Sequence, residues 1–254
     1  MGRVRQVSNL QRVTNPRAGY YPAPQLVCLV LMLTGCRRDP LPQFPRVMLW
    51  AWESPQDMSF VNPRDVGVAF LARTVLLDNG QARIRPRFQP LHVPPGTMLM
   101  AVVRIESQGT PPRAVQEVCG MVIEPGALAG VRALQLDFDA KSSERAFYRE
   151  LLQCVRGRVA MPLVITALAS WCQYDDWIRD LPVNDAIPML FRMGPDRYQP
   201  GSEFRVGLCQ NSFGISIDEP VAKLPRGKRL YIFHPGPWTQ IDYRNALAAV
   251  RNWL

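Results

Sequence analysis

Carboxylates, arginines and tryptophans fall at the ends of apolar runs along this chain. The sharpest case is Leu134-Gln135-Leu136-Asp137-Phe138-Asp139. Read as a strand, its side chains alternate, so Leu134, Leu136 and Phe138 share one face while Gln135, Asp137 and Asp139 share the other. The run Phe213-Gly214-Ile215-Ser216-Ile217-Asp218 repeats the device, with Glu219 next along. Paired carboxylates at strand ends suit sugar chemistry: one acid protonates a leaving oxygen and another supports the cationic transition state. Asp139, Asp218, Glu219 and Asp137 are therefore the candidate catalytic residues. Trp52, Glu53, Arg73, Arg104, Glu106, Trp171, Arg192, His234 and Trp238 also fall at strand ends and are the candidate substrate-binding residues. The tryptophans offer stacking faces for pyranose rings, and the arginines either neutralise the acids or hold an anionic group such as a uronate or phosphate. Each has a structural alternative: acids tied to Arg104 or Arg192, an Asp218 that only caps a turn, aromatics that fill the core, a His234 satisfied within its loop.

Positioning these groups requires a sheet whose strand ends converge. Alternation and apolar runs place strands at 47–52, 66–72, 98–105, 134–139, 163–168, 185–191, 213–218 and 229–233. The Asn79-Gly80 pair between alternating segments predicts a β-hairpin inserted after the second strand, standing on the rim. Ser143 is an N-cap for a helix that turns Phe147, Leu151 and Val155 toward the sheet until Gly157. A closing helix over 241–253 places Leu247, Val250 and Leu254 on one side. Eight strands with intervening helices, several of them short, fit an α/β fold: a single (β/α)8 TIM-barrel-like domain over 46–254. In such barrels the C-terminal strand ends carry the chemistry.

The 254 residues and hydrophobic fraction of 47% supply a large core. The formal charge is +9, yet Arg3, Arg5, Arg12 and Arg17 precede Cys36 with no acid among them, leaving 26 bases against 21 acids beyond. The remaining excess is scattered, without a dense basic run interleaved with aromatics, so nucleic acid is not an expected partner. After the basic leader comes an apolar run over 26–32, too short to span a bilayer but of signal-peptide length, ending in Leu33-Thr34-Gly35-Cys36. This resembles a bacterial lipobox. Residues 1–36 are thus expected to be a signal peptide ending at the lipidated Cys36, and residues 37–45, with Pro40, Pro42 and Pro45, a tether. The expected location is the cell envelope, on the periplasmic side of a bacterial membrane, touching that membrane through the lipid anchor only. In an oxidising compartment Cys172 and Cys209, both in connections, are expected to pair, while Cys154 reads as core. No CxxC exists and His92 and His234 lie far apart, so neither a metal nor a cofactor is expected.

Five ordered motifs carry a resemblance. They are Val68-Ala69-Phe70-Leu71-Ala72-Arg73-Thr74, the run from Leu134 to Ala140, and Ile165-Thr166-Ala167-Leu168-Ala169-Ser170-Trp171-Cys172. Pro188-Met189-Leu190-Phe191-Arg192-Met193-Gly194 and Gly214-Ile215-Ser216-Ile217-Asp218-Glu219-Pro220 complete the set. Together they resemble a bacterial family catalogued as domain of unknown function 3142. The resemblance spans most of the chain from Val47 to Trp238 and implies an envelope protein, often lipoprotein-like, with a barrel related to glycoside hydrolases. Two readings follow. The first is a lipid-anchored glycosidase-like enzyme acting on a polysaccharide, with Asp139 as acid/base and Asp218 or Glu219 as nucleophile or stabiliser. The second is a catalytically inactive barrel that binds glycan or a protein partner at the cell envelope.

Overall fold

The computed structural model describes residues 39–109, 111, 114–193, 204–220 and 224–254. The expected signal peptide and Cys36 lie outside the described residues. Eight parallel strands form a ring: β1 (Val47–Ala51), β2 (Val66–Asp78), β3 (Leu99–Gln108), β4 (Val131–Asp137), β5 (Leu163–Leu168), β6 (Asp185–Met189), β7 (Ser212–Ser216) and β8 (Arg229–Phe233). Pairing runs in chain order, and β1 joins both β2 and β8, which closes the barrel. The architecture is an eight-stranded parallel β-barrel in a mixed α/β protein with a few helices, compatible with a TIM-like barrel. Closure leaves no free edge on these strands and sends alternate side chains inward.

That alternation makes two cores. Met48, Trp50, Ala69, Leu71, Met100, Val102, Ala133, Val164, Ile187 and Tyr231 fill the lumen. Leu134, Leu136 and Phe138 pack into the outer core with Phe213 and Ile215, as the sequence alternation predicts. Gly67 and Gly214 leave lumen space for methionine: an added Cβ at either would lie 2.6 Å from the Sδ of Met48 or Met189. Close approach, not dihedral freedom, favours glycine there, most firmly at Gly67, where that Cβ would also lie 3.0 Å from the Met98 carbonyl oxygen.

Among the described residues four α-helices cover the outside: α1 (Val115–Ile123), α2 (Arg145–Arg158), α3 (Ala169–Gln173) and α4 (Gln240–Val250). On α2 the buried face is Tyr148, Leu151, Leu152 and Val155, with the expected Phe147 only partly covered. Burying each such leucine contributes roughly 1.5–3 kcal/mol. Thr239 caps α4 by accepting from the Asp242 amide at 3.1 Å, and its inward residues are Tyr243, Ala246 and Val250; Leu254 is exposed, not packed. Disulfides join Cys119 to Cys154 and Cys172 to Cys209. The first corrects the reading of Cys154 as a plain core residue, because it staples α2 to α1. The second is the expected pair.

The hairpin is not a separate insertion. β2 runs 13 residues unbroken, and its last part pairs antiparallel with a return strand, Gln81–Pro86, through a turn at Asn79 and Gly80 with φ of 46° and 79°. A bulge at Ala72 interrupts the β2–β3 register, so Leu71 and Arg73 oppose consecutive residues Val102 and Val103. One extra residue reverses inward and outward for everything beyond it.

From Asp39 onward the expected tether is a plug. Leu41 and Phe44 are buried in the lumen core beneath Met48 and Tyr231. Arg229, buried at the start of β8, holds both carboxylate oxygens of Asp39 at 2.9 Å and donates to the carbonyls of Leu41 at 2.7 Å and Phe44 at 3.1 Å. The prolines at 40, 42 and 45 suit this non-repeating path because each fixes φ and needs no amide donor.

Candidate active site at the barrel mouth

The last inward residues of β3, β4 and β5 meet at the C-terminal end of the ring. Arg104 pairs with Asp137 in the β3–β4 ladder, and the Thr166 hydroxyl on β5 donates to Asp137 Oδ1 at 2.7 Å. Asp137 is half-buried against the lumen wall. Burial pushes its carboxyl up to about 6, helped by the charges of Asp139 and Glu106 and opposed by Thr166 and Arg104. Asp139, two residues on and more exposed, is also raised by burial, with Arg104 opposing. Burial of this kind favours the protonated form, which a general acid needs.

These groups open into a cleft of about 260 Å³ lined by Arg104, Glu106, Ser107, Asp137, Asp139 and Lys141, with Glu144 at its back. Glu144 Oε2 accepts from the Lys141 amide at 2.7 Å, closing a capping box that fixes the entry to α2. Its Oε1, the Ser107 hydroxyl and the Tyr148 hydroxyl are buried without a hydrogen-bond partner among the described residues. Tyr148 packs edge-on to Phe138 at 5.1 Å, and burial raises its phenol well above the ordinary value, with Asp137 and Asp139 adding to the shift. It cannot ionise beside two acids, so it stays a donor.

Around the rim, the Arg104 guanidinium lies over the Trp52 ring at 5.2 Å while its Nε meets Glu106 at 3.1 Å. Arg85, from the hairpin's return strand, reaches Glu53 at 3.0 Å and Glu106 at 3.7 Å. Of the residues expected here, the structure thus brings together Trp52, Glu53, Arg104, Glu106, Asp137 and Asp139.

Asp218 and Glu219 lie beyond β7 and do not line this cleft. The Ser216 hydroxyl donates to Asp218, and that bond holds its carboxyl below the ordinary range. Glu219 accepts from the Arg192 amide at 2.9 Å, pinning Arg192 at a φ of 53° with its guanidinium over Phe233 at 5.6 Å. A non-glycine residue in that region is strained, and such strain clusters at functional sites.

Four expected binders are placed elsewhere. Arg73 follows the Ala72 bulge and points outward, donating to Met121 O at 3.0 Å and Glu124 at 2.8 Å. Trp171 is buried outside the barrel against Trp177. Trp238 is buried with its indole N–H on Trp50 O at 2.8 Å. His234 is held within its own turn, where the Gly236 amide donates to Nδ1 at 3.0 Å, and Nε2 lies 3.5 Å from Asp242 on α4. Indole and guanidinium reach further into packing than strand position alone suggests.

Thr166, Lys141, Glu144, Tyr148 and Arg85 are site neighbours that the strand-end reading omitted. Thr166 carried a findable signal, since it is the polar inward position on β5 two residues after Val164. Compared with protein-family models, curated proteins and solved structures, the chain gives no match.

Proposed function

We propose that the protein is a glycoside-hydrolase-like barrel of the (β/α)8 kind, akin to the family with which its motifs share a resemblance, acting on a polysaccharide at the cell envelope. The observation that carries this reading is the opposed tuning of acids at one barrel end. Asp137 and Asp139 are pushed toward holding a proton, while Asp218 is held ionised. Environments that drive carboxyl values apart assign an acid and an anionic partner. Asp139 is the acid/base, Asp137 with Thr166 sets its charge, and Asp218 supports positive charge on the sugar. Trp52, braced by Arg104, is the ring platform. Export through the lipobox to a lipid-anchored position fits the two disulfides, which persist in oxidising compartments.

One observation favours the second reading, a glycan-binding barrel without turnover: Asp218 and Glu219 stand outside the cleft that Asp137 and Asp139 open into. Release of reducing ends from a panel of bacterial envelope and extracellular polysaccharides separates the two. Turnover is expected, with Asp139→Asn lowering kcat at least ~100-fold at unchanged stability. The rate should fall as pH rises through about 6, where Asp137 loses its proton, and Asp137→Asn should move that limb. Tryptophan quenching by glycan with no product would leave binding alone.

A further inference from the structure

We propose that the closed end of the barrel is a membrane-docking face for anionic lipid headgroups, so that the mouth points away from the bilayer. All eight strands are parallel, so every strand start lies at one end, and the loops that feed them collect there. Arg46 precedes β1, Arg64 precedes β2, Arg132 opens β4, Arg158 ends α2, Arg226 precedes β8 and Arg251 follows α4, and all six are exposed. Opposite charges in these loops are few. Asp65 bonds Asn62 at 2.7 Å, Glu124 pairs with Arg73 at 2.8 Å, Asp180 follows Arg179 in sequence, and Asp39 is consumed by buried Arg229. The mouth differs in kind, because there Glu53, Glu106, Asp137, Asp139, Asp218 and Glu219 stand among Arg85, Arg104, Lys141 and Arg192 and the charges are mixed.

Three features select lipid over another polyanion. Leu128, in the turn entering β4, is 50% exposed, and Leu254, three residues beyond Arg251, is 46% exposed. Apolar side chains set among arginines suit the headgroup boundary, where each basic residue contributes about 1 kcal/mol against an anionic leaflet. The chain enters the barrel at Asp39 on this face, and the short apolar run at 26–32 and Cys36 lie just upstream. Three residues reach at most ~11 Å, so a lipid on Cys36 leaves this end no slack to turn from the surface. The basic face stands on the described residues. The choice of lipid as its occupant rests on the anchoring proposed above.

The test uses the full chain as isolated from membranes, and its Cys36→Ser variant, with vesicles of phosphatidylcholine alone or mixed with about one third phosphatidylglycerol. Flotation with neutral vesicles reports the anchor, and amide-exchange protection on anionic vesicles reports docking. In the Cys36→Ser chain, protection is expected in 62–65, 128–132 and 225–228 on anionic vesicles, absent on neutral vesicles and lost in high salt. Arg64→Glu with Arg132→Glu and Arg226→Glu should weaken binding of the Cys36→Ser chain to anionic vesicles about 100-fold at unchanged thermal stability. Equal protection on both vesicle types, protection at the rim hairpin instead, or binding of nucleic acid but not vesicles would each overturn the proposal. If Cys36→Ser docks and the native chain does not float with neutral vesicles, docking stands and anchoring fails.

Discussion

Asp185 and Asp137 are inward-facing aspartates at opposite ends of the same barrel, and burial raises both, to about 7 and about 6. At the floor, Asp185 is fully buried, accepts from Asn211 at 3.3 Å and from the Ser212 hydroxyl, and sits under a plug locked by Arg229. At the mouth, Asp137 has one hydroxyl partner and looks onto an open cleft. The shift alone would nominate both as catalytic. Access separates them: a perturbed acid sealed behind saturated partners is structure, and one that meets a cleft is chemistry.

The comparison breaks most visibly at Arg229. Its side chain is 2% exposed and ties Asp39 to three backbone carbonyls, so Arg229→Met strands buried acceptors and frees the plug. A loss of about 3–5 kcal/mol in urea unfolding is expected, against under ~1 kcal/mol for Asp139→Asn at the mouth. Equal losses would mean that the mouth acid is structural too.

A smaller effect tests Asp185 through pH. An aspartate with a raised folded value binds its proton more tightly when folded than when unfolded. Its contribution to stability is therefore greatest below its ordinary value of 3.8 and declines as pH rises toward about 7. Asp185→Asn should flatten the stability profile over that interval by about 2–4 kcal/mol relative to the native chain. A parallel profile would show that Asp185 stays ionised, with Arg229 neutralising it.

Smallest is the rim. Arg85 and Glu53 have side chains 47% and 45% exposed, so Arg85→Gln should cost under ~1 kcal/mol, and less in salt. Set against Arg229, this measures how far burial alone changes the worth of one arginine–carboxylate pair.

Much of the barrel was legible from local pattern. The strands at 163–168 and 229–233 match their predicted bounds, and the inward row of Gln135 and Asp137 follows from alternation alone. What was not legible depends on partners distant in sequence. Nothing local marks Ala72 as a bulge, since the bulge exists only against β3, and so strand position alone puts Arg73 on the wrong face. The prolines of 39–45 read as an extended tether because the residue that organises them, Arg229, lies 184 to 190 positions away. Cys154 looked apolar because Cys119 belongs to another helix. Asp137 and Asp139 were visible as an inward pair; the hydroxyls of Thr166 and Tyr148 that complete their surroundings were not, because they arrive from other elements.

Ring closure imposes an order on synthesis. Val47 pairs with Leu230 and Met48 with Tyr231, so the first strand waits for the last, and the plug waits for Arg229. Contacts of such separation form late, after the entropy of a nearly chain-length loop has been overcome. A nascent chain therefore has no sealed barrel until almost all of it has emerged. The same joint makes the ends interdependent: losing either terminal strand would open two facing edges at once and expose both to pairing with another chain.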